Sequence, residues 1–294
     1  MDIALGMKFW GTRGLISSPG RETAVHGGNT SCMQLYHGDH LIIIDSGFGI
    51  SNFGESLMHR ILEKKESLTI HVLLTHFHWD HVQGLPFFHP IYFPTTNLHI
   101  YSTLDPVQAK CHLEPLFDGS YSPFEGVDSM PSNIQFHQID SKMHIGSLEI
   151  STYPLDHMQV QVGDVGVSAF RFDYQDKSLV VATDHEARPS PCNEGLVRFA
   201  GDTDLLVHDG QYTEEEYLRR QGWGHSNIRQ ALDNAIQAQA KRMLITHHAP
   251  QRTDRELSRL RRIYKNNETY RDLKFDFARE STVYCVKKGE TSCG

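Results

Sequence analysis

Three imidazoles and one carboxylate lie close together in one short segment of the chain. The segment reads Thr75-His76-Phe77-His78-Trp79-Asp80-His81. Imidazole nitrogens and carboxylate oxygens are ligands that zinc, manganese and iron share. The apolar run Ile70–Leu74 precedes the segment, and Gly84-Leu85-Pro86 interrupts the pattern soon afterwards. The sequence therefore predicts a metal site where a buried strand reaches the surface. A solvated histidine-rich loop is the alternative.

Four more strand-like stretches end in ionisable residues. Each is apolar and runs directly into a pair that contains histidine or aspartate, namely Asp156-His157, Asp184-His185, His208-Asp209 and His247-His248. Strands that all deliver such groups at the same end predict that the groups converge on one point above the sheets. A buried charge at that point is costly unless it is paired or metal-bound, so the pattern favours a metal centre.

The elements that must position these groups are short strands with a few helices between them. Strands are expected at 31–37, 41–45, 70–74, 148–153, 169–174, 178–182, 203–207, 241–246 and 281–286. Apolar residues at helical spacing predict helices at 52–65 and 226–240, the second capped by Ser226 or Asn227. Thr253 and Glu256 have the spacing of a capping box and predict a third helix. Two similar halves of this kind suggest two sheets with helices outside.

Composition narrows the classes of protein that remain. The 294 residues contain no linker-like or repetitive stretch, which favours a single domain over residues 1–294. The net charge of −8 disfavours a sequence-independent binder of nucleic acid, although a metal pair could still hold a small phosphate. The five cysteines are scattered without a CxxC motif, which suits a reducing compartment and argues against a disulfide framework. No stretch approaches the ~20 apolar residues of a membrane span, so we expect a cytoplasmic protein with no membrane partner.

Taken together, these motifs resemble those of the metallo-β-lactamase-fold hydrolases. His76-x-His78-x-Asp80-His81 matches their HxHxDH signature, and the resemblance extends over nearly the whole chain. Within that superfamily the chain is most similar to the phosphodiesterase branch, which includes ribonuclease Z and the cyclic-phosphate phosphodiesterases. The motifs that carry this similarity are Gly11-Thr12-Arg13-Gly14, Gly27-Gly28-Asn29-Thr30-Ser31, Asp45-Ser46-Gly47 and Gly224-His225-Ser226. The resemblance implies an α/β (α+β) fold, a four-layer αββα sandwich of two mixed β-sheets flanked by helices.

The resemblance also implies a ligand set for two divalent metal ions. Carried over position by position, it assigns His76, His78 and His157 to one ion. It assigns Asp80, His81 and His247 to the second ion, and it makes Asp184 the bridge between them. Zn²⁺ is the first choice, with Mn²⁺ and Fe²⁺ as alternatives, because these ligands serve several ions. The spacing agrees, since histidines two residues apart on an extended segment project to the same side.

Several neighbouring residues are alternatives or bystanders in this assignment. His248 could replace His247, which we prefer because it directly follows the strand, and Asp184 could be a plain turn residue. Asp156 and His185 are expected beside the ligands or exposed. The histidines without a comparable context are interpreted as surface or core residues: His37, His40, His59, His71, His89, His99, His112, His137 and His144.

The expected chemistry is hydrolysis at phosphorus. Two divalent ions about 3.5–4 Å apart can hold a bridging hydroxide and also bind phosphate oxygens. The predicted catalytic residues are Asp80, Asp209 and His225. His225 precedes a helix and is the candidate donor to the leaving oxygen, with Asp209 to orient or charge it. Ribonuclease Z uses a glutamate and a histidine in this way, whereas an aspartate stands at the matching place here, so a structural turn is the alternative for Asp209.

The leading hypothesis is therefore a dinuclear metal-dependent phosphodiesterase that acts on a small phosphodiester, such as a cyclic nucleotide. Ribonuclease Z-like RNA 3′ processing is an alternative. It is disfavoured because the stretch from His157 to Asp184 is too short for a protruding basic arm, and long nucleic acid is not an expected partner. A lactam or thioester hydrolase on the same fold is the other alternative, and it would not need Asp209 and His225. Similar proteins are usually homodimers.

Three further features have more than one interpretation. Asp45 is expected to fix a loop below the metals without binding one. The Gly27–Ser31 turn could present N–H groups to phosphate or be only a tight connection. The region from Pro86 to Pro131 is long for a connection and is interpreted as a lid or substrate wall. Its aromatic residues could stack a nucleobase or belong to the core: Phe87, Phe88, Tyr92, Phe93, Phe117 and Tyr121.

Overall fold

The computed structural model describes residues 5–120, 122–157 and 166–286. Within these residues the strands form two seven-stranded sheets. The first sheet contains β1 (Leu5–Gly11), β2 (Cys32–His37), β3 (His40–Ile44), β4 (Leu68–Leu73), β5 (Thr96–Ser102), β6 (Asn133–Gln138) and β14 (Val283–Val286), in the order β14-β1-β2-β3-β4-β5-β6. The second contains β7 (Lys142–Ile145), β8 (Leu148–Leu155), β9 (Val167–Tyr174), β10 (Lys177–Ala182), β11 (Leu205–Asp209), β12 (Met243–Thr246) and β13 (Phe275–Phe277), in the order β13-β12-β11-β10-β9-β8-β7.

The helices are distributed between the strands along the chain. They are α1 (Gly49–Leu62), α2 (Trp79–Val82), α3 (Pro106–Leu113), α4 (Pro191–Phe199), α5 (Glu214–Leu218), α6 (Ile228–Gln237) and α7 (Asp254–Lys265). Asn227 caps α6 and Thr253 caps α7, each with a complete capping box. Both helix starts confirm the predictions from the sequence, since each cap satisfies backbone N–H groups that would otherwise lack partners.

Three apolar clusters stack these elements into four layers. The cluster between the sheets joins Met7 and Leu35 of the first sheet to Leu179 and Val181 of the second. On the outer side of the first sheet, α1 packs against β4 in a second cluster. On the outer side of the second sheet, α6 and α7 pack against β10, β11 and β12 in a third. The expected αββα sandwich of two mixed sheets is confirmed.

Strand direction places one edge of each sheet at the site. In the second sheet β10, β11 and β12 are parallel to each other, and β8 runs in the same direction because β9 is antiparallel to both β8 and β10. In the first sheet β3, β4 and β5 are parallel. The residues that follow β4, β8, β10 and β12 can therefore meet where the strands end.

Residues 86–131 are not the single long connection that the sequence suggests, and their role as a lid or substrate wall stays a prediction. Thr96–Ser102 forms β5, an internal strand of the first sheet between β4 and β6. Phe88 and Phe117 are fully buried in the outer cluster of that sheet, so they are core residues, whereas Phe87 is largely exposed. Tyr121 lies outside the described residues. The many prolines and aromatic residues concealed a regular strand because they surround it on both sides.

Among the described cysteines, Cys32, Cys111 and Cys192 are free thiols, and Cys285 is disulfide-bonded. The scattered spacing of the cysteines therefore did not predict the disulfide of Cys285. In the described ranges, no helix has both the length and the apolar character needed to cross a bilayer.

Four histidines form a row across adjacent strands of the first sheet. His40, His71, His99 and His137 come from β3, β4, β5 and β6 in turn. The rings of His71 and His99 stack with centroids 5.3 Å apart, and those of His99 and His137 with centroids 5.1 Å apart. Nδ1 of His99 lies 2.9 Å from Nε2 of His137. Burial, with smaller contributions from His99, His40 and His137, lowers the pKa of His71 to about 4.

We expect this row to make the protein sensitive to acid. The pKa of His71 is about 4 in the folded chain against 6.5 for a free histidine, so the unfolded chain binds the proton more readily. Above about pH 7 His71 is neutral in both states, and its titration does not change the free energy of unfolding. As the pH falls from about 6.5 towards 4, the unfolded chain takes up the proton first, and the free energy of unfolding decreases. Because His71 is partly exposed, the loss should be about 1 kcal/mol.

The test is urea unfolding of wild type and His71→Gln at pH 7 and pH 5. The variant should lose less stability between these pH values than the wild type does. His59→Gln, which changes an exposed histidine of α1, should behave like the wild type. An equal loss in wild type and His71→Gln would contradict the assignment.

Candidate metal centre

The predicted ligand residues follow four different strands and meet in one cluster. His76, His78, Asp80 and His81 follow β4, and His157 follows β8. Asp184 follows β10 after one residue, and His247 directly follows β12. Ligands from both sheets therefore converge as strand direction requires. His76, Asp80, His81, Asp184 and His247 are buried, whereas His157 is partly exposed and His78 exposed.

The first group of possible ligands is His76, His78 and His157, whose ligand atoms lie within 4.8 Å of one another. Nε2 of His157 is 3.1 Å from Nδ1 of His78. The ring centroids of His76 and His78 are 4.5 Å apart. Three imidazole nitrogens at this spacing can surround one divalent ion.

The second group is Asp80, His81 and His247, which meets the same distance limit. Nε2 of His247 lies 3.1 Å from Oδ2 of Asp80 and 3.3 Å from Nε2 of His81. These three residues are buried. The two groups correspond to the two ligand triads that the sequence predicts.

Asp184 lies between the two groups. Its Oδ2 is 3.1 Å from Nε2 of His81, and its Oδ1 is 3.4 Å from Nε2 of His247. Its Oδ1 is also 3.9 Å from Nε2 of His76. One carboxylate therefore faces both triads, which is the position that a bridging ligand needs. The assignment of all seven residues as ligands stays a prediction.

Hydrogen bonds to the Nδ1 atoms set which nitrogen each histidine presents. His81 donates from Nδ1 to Asp45 at 2.7 Å, and His157 donates from Nδ1 to the carbonyl of Gly224 at 2.7 Å. His247 donates from Nδ1 to Oε1 of Gln211 at 2.8 Å. With the Nδ1 proton held in this way, the lone pair of Nε2 points into the cluster. Such outer partners are typical of metal sites because they fix the tautomer and the ring orientation.

The donor atoms of the cluster are of the kinds that bind divalent metal ions. Nε2 of His76 is buried and has no hydrogen-bond partner among the described residues. Burial, together with nearby His81, lowers the pKa of His76 well below 6.5, so its free lone pair is available to a cation. Burial would raise the pKa of Asp80, but His81 and His247 outweigh burial and hold it well below 3.8. These donors suit zinc, manganese or iron.

Three residues at the cluster have a strained backbone. Asp45, Asp184 and His247 adopt left-handed backbone conformations, with φ of 61°, 56° and 59°. Such conformations are uncommon for residues other than glycine and persist where the surrounding structure enforces them. Gly14 packs against His247 so closely that a Cβ there would lie 2.2 Å from Cε1 of its ring. The fold therefore holds the His247 ring from one side by backbone alone.

The predicted pair Asp209 and His225 is also in place. Asp209 is the last residue of β11, and His225 donates from Nδ1 to Oδ2 of Asp209 at 2.7 Å. The ring of His225 stacks on that of His247 with centroids 4.9 Å apart, and its Nδ1 is 3.9 Å from Oδ1 of Asp184. The pair is buried and adjoins the ligand cluster, so it can hold a proton beside the metals. His225 also lies within ligand distance of His157 and Asp184.

The contacts of neighbouring residues bear on the other interpretations. His248 donates from Nε2 to the carbonyl of Ala278 at 3.1 Å and is in none of the metal groups. His185 is buried and bonded through Nε2 to Asn193, so it is not exposed. In the Gly27–Ser31 turn the N–H of Asn29 donates to Glu280, so this N–H is already paired.

Sequence reasoning missed two residues that shape the site. Gln211 accepts the Nδ1 proton of His247, and its only signal was its place two residues after Asp209. Glu186 is buried and accepts from the N–H groups of Gly222 and Gly224, at 2.8 Å and 3.2 Å. It therefore fixes the loop before His225. Nothing in the local sequence distinguishes Glu186 from an ordinary surface glutamate.

Asp45 fixes the loop that carries the first predicted ligands, as expected. Its Oδ1 accepts from the N–H and the hydroxyl of Thr75, both at 2.9 Å, and its Oδ2 accepts from His81. The hydroxyl of Thr75 is 3.0 Å from Nδ1 of His76. Because that hydroxyl gives its one proton to Asp45, it accepts the Nδ1 proton of His76. One buried carboxylate thus sets the tautomer of two predicted ligands.

Replacement of Asp45 should weaken metal binding without removing a ligand. In Asp45→Asn an amide N–H₂ can face Nδ1 of His81 and disturb its tautomer. We expect metal affinity to fall by about 10–100-fold, measured by competition with a chromophoric chelator. Asp39→Asn, which changes an exposed carboxylate in the β2–β3 turn, should retain wild-type affinity. Equal affinities for all three proteins would contradict this role.

Two facing mixed sheets with a histidine and aspartate cluster at their strand ends define a metal-binding hydrolase of the metallo-β-lactamase fold. Residues 40–248 match the family model described as a beta-lactamase superfamily domain. Because the match covers more than half of the chain, the protein belongs to the β-lactamase superfamily.

Known relatives agree with this class. The chain is 24% identical over 258 residues to ribonuclease Z of Porphyromonas gingivalis, a match that covers 72% of this chain and 80% of the relative. The metallo-beta-lactamase fold protein YhfI from Bacillus subtilis has a similar structure, with a TM-score of 0.64 at 17% identity, covering 95% of this chain and 98% of that one. A diphosphatase of the PhnP family has a TM-score of 0.65 at 14% identity, covering 99% of this chain and 100% of that one. At these identities the two structures support the fold alone.

Proposed function

We propose that the protein is a dinuclear metal-dependent phosphodiesterase that hydrolyses a small phosphodiester such as a cyclic nucleotide. The observation that carries the proposal is the position of Asp184 between two triads of possible ligands, with the Asp209–His225 pair beside them. Similarity to ribonuclease Z, which is by name a nuclease, supports chemistry at phosphorus. Zn²⁺ is the first choice of metal, and Mn²⁺ and Fe²⁺ use the same donors.

The chain's own residues divide the work of the proposed reaction. One ion would be held by His76, His78 and His157. The other ion would be held by Asp80, His81 and His247. Asp184 would bind both ions. When bound, the ions would supply Lewis acidity and an activated water nucleophile.

Beside these ligands, His225 is the proposed source of a proton for the leaving oxygen. Asp209 holds the Nδ1 proton of His225, so Nε2 is the atom left to give one up. Asp80 accepts a hydrogen bond from the N–H of Leu15 at 2.7 Å, which fixes the orientation of its carboxylate within the site.

RNA 3′ processing is the second candidate, favoured by the named activity of the sequence relatives. A lactam or thioester hydrolase on this fold would have no need of the Asp209–His225 pair. The buried hydrogen bond between these two residues therefore favours a reaction that must protonate an oxygen leaving group.

The test is one panel of substrates with protein loaded with Zn²⁺, Mn²⁺ or Fe²⁺. The substrates are bis-p-nitrophenyl phosphate, a 3′,5′-cyclic nucleotide, a precursor transfer RNA, nitrocefin and a thioester. We expect diester turnover to dominate, and we expect chelator-treated protein to be inactive until metal is restored. Lactam or thioester turnover far above diester turnover would overturn the substrate class, and efficient cleavage of the RNA alone would favour the second candidate.

The same proposal includes one hydrolase domain over residues 1–294, a homodimer and a cytoplasmic location. Light scattering of the purified protein measures the oligomer, and cell fractionation measures the location. A monomer at micromolar concentration would remove the homodimer from the proposal without affecting the chemistry.

A further inference from the structure

A cleft next to the candidate metal centre is rich in arginine. It has a volume of about 540 Å³ and is lined by Thr213, Glu215, Glu216, Arg219, Arg220, Trp223, Arg252 and Arg259. This volume lies within the range of about 300–1,000 Å³ for sites of small ligands. The concentration of arginine stands out because the whole chain has a net charge of −8.

The ion pairs within the cleft leave it positively charged. Arg252 is buried and forms a salt bridge with Glu216. Over the described parts of the chain, no salt bridge involves Arg219, Arg220 or Arg259, so Glu215 is the one remaining carboxylate in the lining to offset them. Guanidinium groups match phosphate oxygens in geometry and in charge. The cleft is therefore complementary to an anion such as phosphate.

The lining of the cleft includes an exposed tryptophan, two residues before His225 in the sequence. Trp223 is 59% exposed, although burial of such a ring would be favourable. It lies between Gly222 and Gly224, whose φ angles of 83° and 84° are left-handed. Both glycine N–H groups donate to the buried carboxylate of Glu186. The backbone on both sides of Trp223 is therefore fixed, and the exposed ring offers a face on which a nucleobase could stack.

The cleft and the metal centre are joined by direct contacts. Gly224, the one residue between Trp223 and His225, accepts the Nδ1 proton of His157. The guanidinium of Arg220 lies 5.3 Å from the centre of the Tyr212 ring, and that ring makes an edge contact with His225 at 5.9 Å between centroids. One aromatic ring therefore separates Arg220 of the cleft from His225, which places the cleft beside the candidate metal centre.

We propose that this cleft binds a second phosphate of the substrate, with a nucleobase stacked on Trp223. The inference rests on the proposed phosphodiesterase activity and narrows it to nucleotide diesters that carry a phosphate beyond the scissile one. A 3′,5′-cyclic mononucleotide has a single phosphate and leaves Arg219 and Arg259 unused.

The test compares two dinucleotides that differ by one phosphate, pApA and ApA, with bis-p-nitrophenyl phosphate as a substrate too small to fill the cleft. For wild type we expect kcat/KM to be about tenfold higher for pApA than for ApA, mainly through KM, since each charge-assisted contact strengthens binding. In Arg219→Ala/Arg259→Ala this preference should disappear, with bis-p-nitrophenyl phosphate turnover unchanged. Trp223→Ala should raise KM for both dinucleotides, and Trp223→Phe should restore most of the affinity.

The matched control is Arg255→Ala/Arg262→Ala. It removes the same charge from exposed positions, both on α7, outside the cleft, and it should keep the wild-type preference. Any of three results would overturn the inference. The control could lose the preference for pApA, Arg219→Ala/Arg259→Ala could keep it, or the wild type could show none. Absence of wild-type turnover on every diester would instead refute the proposed function, so the two failures are distinguishable.

Discussion

Asp184→Asn should abolish most of the activity and release metal. The substitution keeps the size of the side chain but removes the negative charge that faces His81 and His247. Both ions lose their shared ligand, so metal content should fall below two ions per chain. Loss of about 4 kcal/mol of transition-state stabilisation corresponds to a decrease of about 10³-fold in kcat/KM. Elemental analysis after gel filtration and diester kinetics measure the two effects.

Asp204→Asn is the control for this prediction. Asp204 is also a buried carboxylate, but it accepts from the N–H of Ser178 at the opposite end of the second sheet. Its loss can lower stability without a direct effect on the metals. Full metal content and activity in Asp184→Asn would refute the bridging role.

His225→Ala should keep both metals and lose turnover by about 10²–10⁴-fold, the usual contribution of a general acid. The loss should be larger for a dinucleotide than for bis-p-nitrophenyl phosphate, because a sugar alkoxide needs a proton more than nitrophenolate does. Asp209→Asn should act in the same direction, since Asp209 holds the His225 ring. Metal analysis of each variant, with kinetics on both substrates, measures the effect.

His26→Asn is the control for His225, because His26 is a buried histidine bonded to Ala278 outside the metal groups. It should retain both metals and activity. Loss of metal in His225→Ala would show that His225 is a ligand. Unchanged turnover would remove it from the mechanism.

Local patterns predicted the parts of this structure that local forces determine. The caps of α6 and α7 were identifiable because Asn227 and Thr253 satisfy backbone groups only three residues away. The positions after β10 and β12 were identifiable because an ionisable residue after an apolar strand is conspicuous. Two sheets with helices outside were suggested by the order of strands and helices, and the family resemblance carried by the His76–His81 motif added the four-layer αββα arrangement.

Features that depend on distant partners were not predictable in this way. Glu186 matters through Gly222 and Gly224, and Gln211 through His247, so their roles exist only in the folded chain. Strand β5 was missed because its short alternating sequence, Thr96–Ser102, lies within a long segment rich in prolines and aromatic residues. Its neighbours β4 and β6, which pair with it on both sides, stabilise it as an internal strand.

The predicted ligands come from the ends of strands in both sheets, and this has a consequence for how the protein should be handled. If the ions fasten one half of the sandwich to the other, each partially filled molecule has its own melting temperature. A preparation with incomplete loading should then give a broad or stepped calorimetric trace. A single sharp transition, unchanged by added metal salt, would be a simple criterion of sample homogeneity before any kinetic constant is measured.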